Sequence, residues 1–162
     1  MEKKPNFRSY LRPKTQAEAI TTAPAPKGWV DEHGKPLEIK IRKLSKKRLS
    51  EIRTEHTDYR FAIGDDGNVI VQGGAVVHDD IKDTDAIVCH VIAEALVQPD
   101  MHDYLADYDC VCIADLPALM FDEDALEHIT NMVYAVQYPR LHPQKEKALI
   151  DGAKNGSAQQ EA

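Results

Sequence analysis

Between residues 83 and 96 the chain carries two apolar rows at helical spacing. Ile87, Val91 and Ala95 form one row, and Val88, Ile92 and Leu96 form the row beside it. A stripe that wide cannot lie against water on one side only; it requires a core built around it. Asp83 or Thr84 precedes it as an N-cap, and Pro99 stops it. A second helical pattern starts after Asp122. Leu126, Ile129, Val133 and Val136 line one face to about Gln137, while Glu123 and Asp124 suit the positive end of the helix. Phe121 and Leu126 read as a hydrophobic staple across its entry. A short helix over 101–107 and a turn at 116–120, with Pro117 tolerated in its first turn, bridge the two.

Upstream the period changes from 3.6 to 2. Leu37, Ile39 and Ile41 alternate with Glu38, Lys40 and Arg42, the pattern of a half-buried strand. Asp31-Glu-His-Gly34 supplies a turn in which Gly34 takes positive φ, so 29–31 is predicted to pair with 37–43. A helix over 45–55 follows. Ser45 caps it, Leu44 and Leu49 staple it, and Leu49 and Ile52 share its one apolar face. Residues 59–63 and 69–71 flank Gly64-Asp-Asp-Gly67, a strong hairpin signal; Gly73-Gly74 ends this unit, and Val76-Val77 adds a short strand.

These elements predict an α+β fold, with a mainly α-helical C-terminal body (83–137) preceded by short antiparallel β-hairpins. Residues 29–138 are expected to form a single domain, comprising hairpin 29–43, helix 45–55, inserted hairpin 59–78 and helices 83–137. Residues 1–28 read as a flexible segment, because Thr21-Thr-Ala-Pro-Ala-Pro-Lys-Gly28 has linker composition, with room for a short anchor around Phe7–Leu11. Residues 139–162 read as a flexible tail, broken by Pro139 and Pro143 and rich in small polar residues towards its end.

Composition narrows the function classes. No run approaches the ~18 apolar residues of a membrane span, and Met1-Glu-Lys-Lys-Pro5 is not followed by an apolar secretory stretch. Three cysteines, Cys89, Cys110 and Cys112, make an odd number for a disulfide framework and lack the paired spacing of a zinc finger. Charge is split along the chain: residues 1–60 hold 15 Lys/Arg against 8 Asp/Glu, and residues 61–162 hold 5 against 19. The basic half is interleaved with acids, poor in aromatics and free of a nucleic-acid motif, so it reads as a solvated surface and no nucleic-acid partner is expected.

The chain carries no phosphate-binding glycine loop, nucleophile elbow or His-Glu-x-x-His. His90 and Glu94 share a helix face at i+4, a spacing open to metal or acid–base chemistry but more often a surface contact. His102 and Asp103 could converge with Cys110 and Cys112, although a cysteine hydrolase needs an activated thiol and an oriented base. The acidic turn 64–67 does not match the EF-hand loop. The expectation is a binding protein, not an enzyme, with no catalytic or metal residues and no cofactor.

Three stretches carry a family resemblance. They are Trp29 to Arg53, with His33-Gly-Lys-Pro-Leu-Glu-Ile-Lys-Ile-Arg42 and a capped charged helix; Asp85 to Pro99, with Ala86, Glu94 and Ala95; and Asp115 to Val136, with Leu116, Leu119, Met120, Phe121 and Leu126. In this order they resemble the PBSX-type (XkdN-like) phage tail assembly chaperone family. The 59–80 hairpin stands as an insertion, and Phe121-Asp-Glu-Asp124 departs from the Gly-Glu-Tyr-like entry usual before the last helix. The resemblance implies a non-virion protein of the host bacterial cytoplasm. Such a protein binds the tape measure protein and the tail tube protein, without a cofactor, during tail assembly; it leaves room for a homo-oligomer and involves no membrane. Leu116, Leu119, Met120, Phe121 and Met132 are the candidate partner-binding residues, set against the plainer reading that they fill the chain's own core. The family's programmed frameshift points to Ala153, Lys154 and Asn155 as a possible frameshift region. The alternatives are a small metal- or cysteine-dependent hydrolase using His90, His102 and the cysteines, and a structural minor tail component.

Overall fold

The computed structural model describes residues 19–142 together with Lys147, Leu149 and Asp151. An α+β architecture results. A three-stranded antiparallel sheet in the order β1 (Ile20–Pro24), β2 (Glu38–Arg42), β7 (Leu96–Gln98) packs with four helices: α1 (Lys46–Glu55), α2 (Thr84–Ala95), α3 (Leu116–Met120) and α4 (Glu123–Gln137). Short 3-10 turns at Met101–Tyr104 and Ile113–Asp115 link β7 to α3. Between α1 and α2 the chain leaves the body as a two-stranded ribbon, β3 (Thr57–Phe61) with β6 (His78–Lys82), which carries the small ladder β4 (Val71–Gln72) with β5 (Ala75–Val76). Among the described residues no helix is long and apolar enough to cross a membrane.

Local chemistry places each helix as expected. Ser45 Oγ accepts from Arg48 N at 3.0 Å, Asp83 Oδ1 from Ala86 N at 3.0 Å, and Asp122 Oδ1 from Ala125 N at 2.8 Å. Each cap satisfies an amide that the helix itself cannot pair. The wide stripe of α2 lies at the centre of the core, packed against α1, α3 and α4. Ile129 and Val133 of α4 and Ile39 and Ile41 of β2 belong to the same core cluster, all within 1% of full burial.

In the ribbon, Tyr59–Phe61 pairs with His78–Asp80 of β6 and not with 69–71, which keeps only the Ile63–Val69 bridge, because the closer apolar runs are too short to hold a ladder. Three further expectations are corrected. Strand β2 does not run back along residues 29–31. It pairs over its whole length with Ile20–Pro24, in the segment read as a linker. Residues 29–31 pair instead with 35–37 in a tight neck, through the Val30–Pro36 bridge, with Leu37 N donating to the Trp29 carbonyl (2.9 Å) and Asp31 N to the Lys35 carbonyl (2.8 Å). The proline-rich stretch is admissible in a strand because β1 is the sheet edge, where a missing N–H breaks no ladder. Second, the stretch between the helix and Pro99 is a strand: Leu96 caps α2, its N–H donating to Ile92 O, and in extended conformation opens β7, pairing with Ile41. Third, the tail is not wholly detached: Leu149 is helical and fully buried in the core cluster. The turns hold as read, with Gly34 and Gly67 both at φ +77.

Candidate functional site

The ribbon between α1 and α2 is built from two antiparallel strands whose residues are almost all exposed. Thr57 pairs with Lys82, Asp58 with Ile81, Tyr59 with Asp80, Arg60 with Asp79 and Phe61 with His78. Tyr59 and Phe61 therefore share one face, and the Phe61 and His78 rings lie 5.1 Å apart. Beyond them the backbone branches. Ala62 N donates to Val77 O, Ile70 N to Ala62 O and Val77 N to Ile70 O, so these three residues, each next to a strand end, close a backbone ring in which Ala62 is buried. Two short hairpins leave this junction, one closed by the Ile63–Val69 bridge and one by Val71–Val76. Tyr59, Phe61, Ile63, Val69, Val71 and Ile81 are all exposed, Phe61 by 58%. An apolar set clustered on one projecting arm marks an interaction surface, where single scattered residues would not.

The root of the arm is polar. His56, the C-cap of α1, donates no side-chain cap; its carbonyl accepts from Asp83 N at 3.0 Å, closing the ribbon where α2 begins. His56 Nε2 lies 2.9 Å from His90 Nδ1, and Glu55 Oε2 lies 3.5 Å from the same atom. On the other side of the ring, His90 Nε2 is 3.1 Å from Glu94 Oε1. Arg48 grips that carboxylate through Nε, at 3.0 and 2.9 Å, and through its terminal nitrogen, and it also bonds Glu55 and Glu51. The Arg48 guanidinium holds the Glu94 carboxyl below the usual carboxylate range, and Glu94 in turn pushes Arg48 up. An ionised Glu94 only accepts, so His90 Nε2 carries a proton toward it, and Nδ1 faces His56 and Glu55. His90 is 8% exposed and fully engaged. The i+4 pair read from sequence is thus part of a buried network, and its partners Arg48, Glu55 and His56 come from α1, 34 to 46 residues away.

The sequence-predicted residues separate. Leu116 is fully buried, and Phe121 is buried against Trp29 with ring centroids 5.6 Å apart, so both belong to the core. Met120 and Met132 are half-buried around that core, and Leu119 stands out at 57% exposure. His102 pairs with its neighbour Asp100 at the surface, and Cys110 Sγ meets the Cys112 carbonyl at 3.2 Å. Neither His102, Asp103 nor the cysteines join a three-donor cluster; among the described residues that grouping is Glu55, His56 and His90. All three cysteines are free, and burial, with Asp85 adding, pushes the Cys89 thiol up, away from the reactive thiolate. Ala153, Lys154 and Asn155 lie outside the described residues, as does the anchor at Phe7–Leu11. The arm's role and His56 escaped sequence reasoning. The available signal was the apolar content of a hairpin with acidic turns and no neighbouring stripe to cover it.

No protein-family model matches the sequence, and no curated protein matches it. Among solved structures the chain is similar to the protein YqbN. The TM-score is 0.51 at 11% identity, over 84% of this chain and 97% of YqbN. At that identity the likeness shows a shared fold and nothing finer.

Proposed function

We propose that this protein is a phage tail assembly chaperone, without catalysis of its own. It binds the tape measure protein, and with it tail tube subunits, in the bacterial cytoplasm and is absent from the finished virion. The observation that carries this reading is the arm: a thin ribbon that gathers exposed Tyr59, Phe61, Ile63 and Val71, where the body exposes Val111, Leu119 and Leu141 from separate segments. A long helical client exposes apolar stripes before assembly, and an exposed apolar ribbon can cover them reversibly. Five aspartates on the ribbon (58, 65, 66, 79 and 80) favour a client whose apolar stripe is flanked by basic side chains. Two further supports are the sequence resemblance to the XkdN-like chaperones and the fold shared with YqbN, a prophage-encoded protein.

The test is co-expression with the helix-rich protein encoded nearest downstream, followed by pull-down. The expected result is a soluble complex that weakens at least tenfold in a Tyr59→Ser/Phe61→Ser double variant. A client whose solubility and recovery do not change with this protein present overturns the proposal. Recovery of the protein in purified virions would instead favour a structural tail component.

A further inference from the structure

We propose that Glu55, His56 and His90 form a binding site for one divalent transition-metal ion of the zinc class, at the root of the arm. The inference goes beyond the chaperone reading and does not depend on it. Three observations support it.

The first is the donor set. Nε2 of His56, Nδ1 of His90 and a carboxylate oxygen of Glu55 all lie within 4.8 Å of one another. Two of the separations are 2.9 and 3.5 Å. Ligands at zinc's usual distances sit about 3.3 Å apart along a tetrahedral edge, so the observed pairs bracket the required spacing. Two imidazoles and a carboxylate are also a donor set that zinc takes with a water in the fourth position. Glu55 is exposed and His56 half-buried, so solvent reaches the open side.

The second is the support behind the ligand. A metal-bound histidine usually donates its distal N–H to a carboxylate, which fixes the tautomer and aims the free nitrogen. His90 has that partner already in Glu94, and Arg48 fixes Glu94 in turn. Arg48 is 3.4 Å from His90 Nε2, but both groups are donors there, so Arg48 acts on the ring only by orienting the carboxylate. Without metal, His56 Nε2–H donates to the bare His90 Nδ1. On binding, the His56 proton moves to its own Nδ1, and both lone pairs point at the ion. Glu94 and Arg48 are positioning residues here, not ligands.

The third is location. Glu55 ends α1, His56 is its cap, Thr57 is the first residue of the ribbon, and the His56 carbonyl holds the ribbon's return at Asp83. His90 sits in the middle of the core helix. An ion shared by these residues joins the base of the arm to the rigid body, and so sets the angle at which the apolar ribbon projects.

The experiment uses the full chain, stripped with a chelator, titrated with zinc by calorimetry and followed by thermal unfolding. Cobalt(II) serves as a second probe, whose visible absorption reports coordination. The expected outcome is one saturable zinc equivalent, a raised unfolding midpoint and a four-coordinate cobalt spectrum. Glu55→Gln/His56→Gln, two residues outside the core, is expected to keep the metal-free midpoint while losing at least a hundredfold in zinc affinity. Glu94→Gln is expected to weaken binding by about 10- to 100-fold through misorientation of His90. Absence of saturable zinc binding in the wild-type chain overturns the proposal and leaves the cluster as a polar network. Wild-type affinity in the double variant also overturns it, by placing the ion elsewhere. Neither readout involves the client, so this proposal and the chaperone reading fail separately.

Discussion

Gln137 is a buried amide in a core of aliphatic side chains, and its position is explained by what it joins. Its Oε1 accepts from Leu44 N and its Nε2 donates to the Arg42 carbonyl, both at 2.8 Å. It thereby pairs the backbone just where β2 ends and the approach to α1 begins. Gln137→Leu leaves that amide and carbonyl without the pairing and is expected to cost about 1–3 kcal/mol, read as a lowered urea midpoint at unchanged m-value. At Glu94 the sign of a pH effect can be worked out. Its folded-state carboxyl titrates below the ordinary value of about 4.3 because Arg48 bonds the charged form. Its contribution is therefore complete above that ordinary value and is lost as pH falls through the lower folded one. In Glu94→Gln, stability between pH 5 and 3 is expected to fall less steeply than in the wild type, over about that range. Denaturant midpoints at three pH values would check it; parallel curves would refute it.

At the scale of elements, the contrast lies between helices that share one core and a ribbon that shares none of it. The caps at Ser45, Asp83 and Asp122 were all legible, because a side-chain acceptor three residues before an unpaired amide is a local signal. Of the ribbon only part was legible: alternation marked the strand around Tyr59–Phe61 and the Asp66-Gly67 turn marked the Ile63–Val69 bridge, but β6, the main partner strand, carries no such alternation and was not read. The ribbon's branching at Ala62, Ile70 and Val77 was not legible either, since a three-way backbone ring depends on which strands meet. The ribbon's base is already closed by the bond from Asp83 N to the His56 carbonyl. Replacing residues 57–82 by a short Gly/Ser turn is therefore expected to leave the body folded, with its thermal midpoint within a few degrees. A body that unfolds would show that the arm carries stability. Leu116 and Leu119 make the complementary comparison within α3. Leu116→Ala, at a fully buried site, is expected to cost about 2–5 kcal/mol, and Leu119→Ala, at an exposed one, less than about 0.5 kcal/mol.

For the molecule as a whole, the sheet is what locks distant parts together. β2 lies between β1 and β7, bringing residues 20–24 and 96–98 to its two edges, and α4 packs against it. Leu149 enters the same core from beyond Pro139 and Pro143. Leu149→Ala is expected to destabilise the fold by about 2–4 kcal/mol, whereas a detached tail would make the change silent in the same unfolding assay. The charge split along the sequence takes a spatial form where Arg48 from the basic part meets Glu94 from the acidic part.

The sequence by itself determined the α+β class, the capped helices and their apolar faces, and the turns at Gly34 and Gly67. Those signals act over one to seven residues, within the range of a helical turn or a strand pair. Only the tertiary structure decided that Ile20–Pro24 is an edge strand, since an edge tolerates proline and a periodicity cannot tell which neighbour a strand will find. Only tertiary structure made Leu96, the cap of α2, also the start of a strand, because a buried apolar residue looks the same in helix or sheet. The polar cluster of Arg48, Glu55, His56, His90 and Glu94 is of the same kind: its members are ordinary in sequence, and packing α1 on α2 across 34 or more residues is what makes them one site.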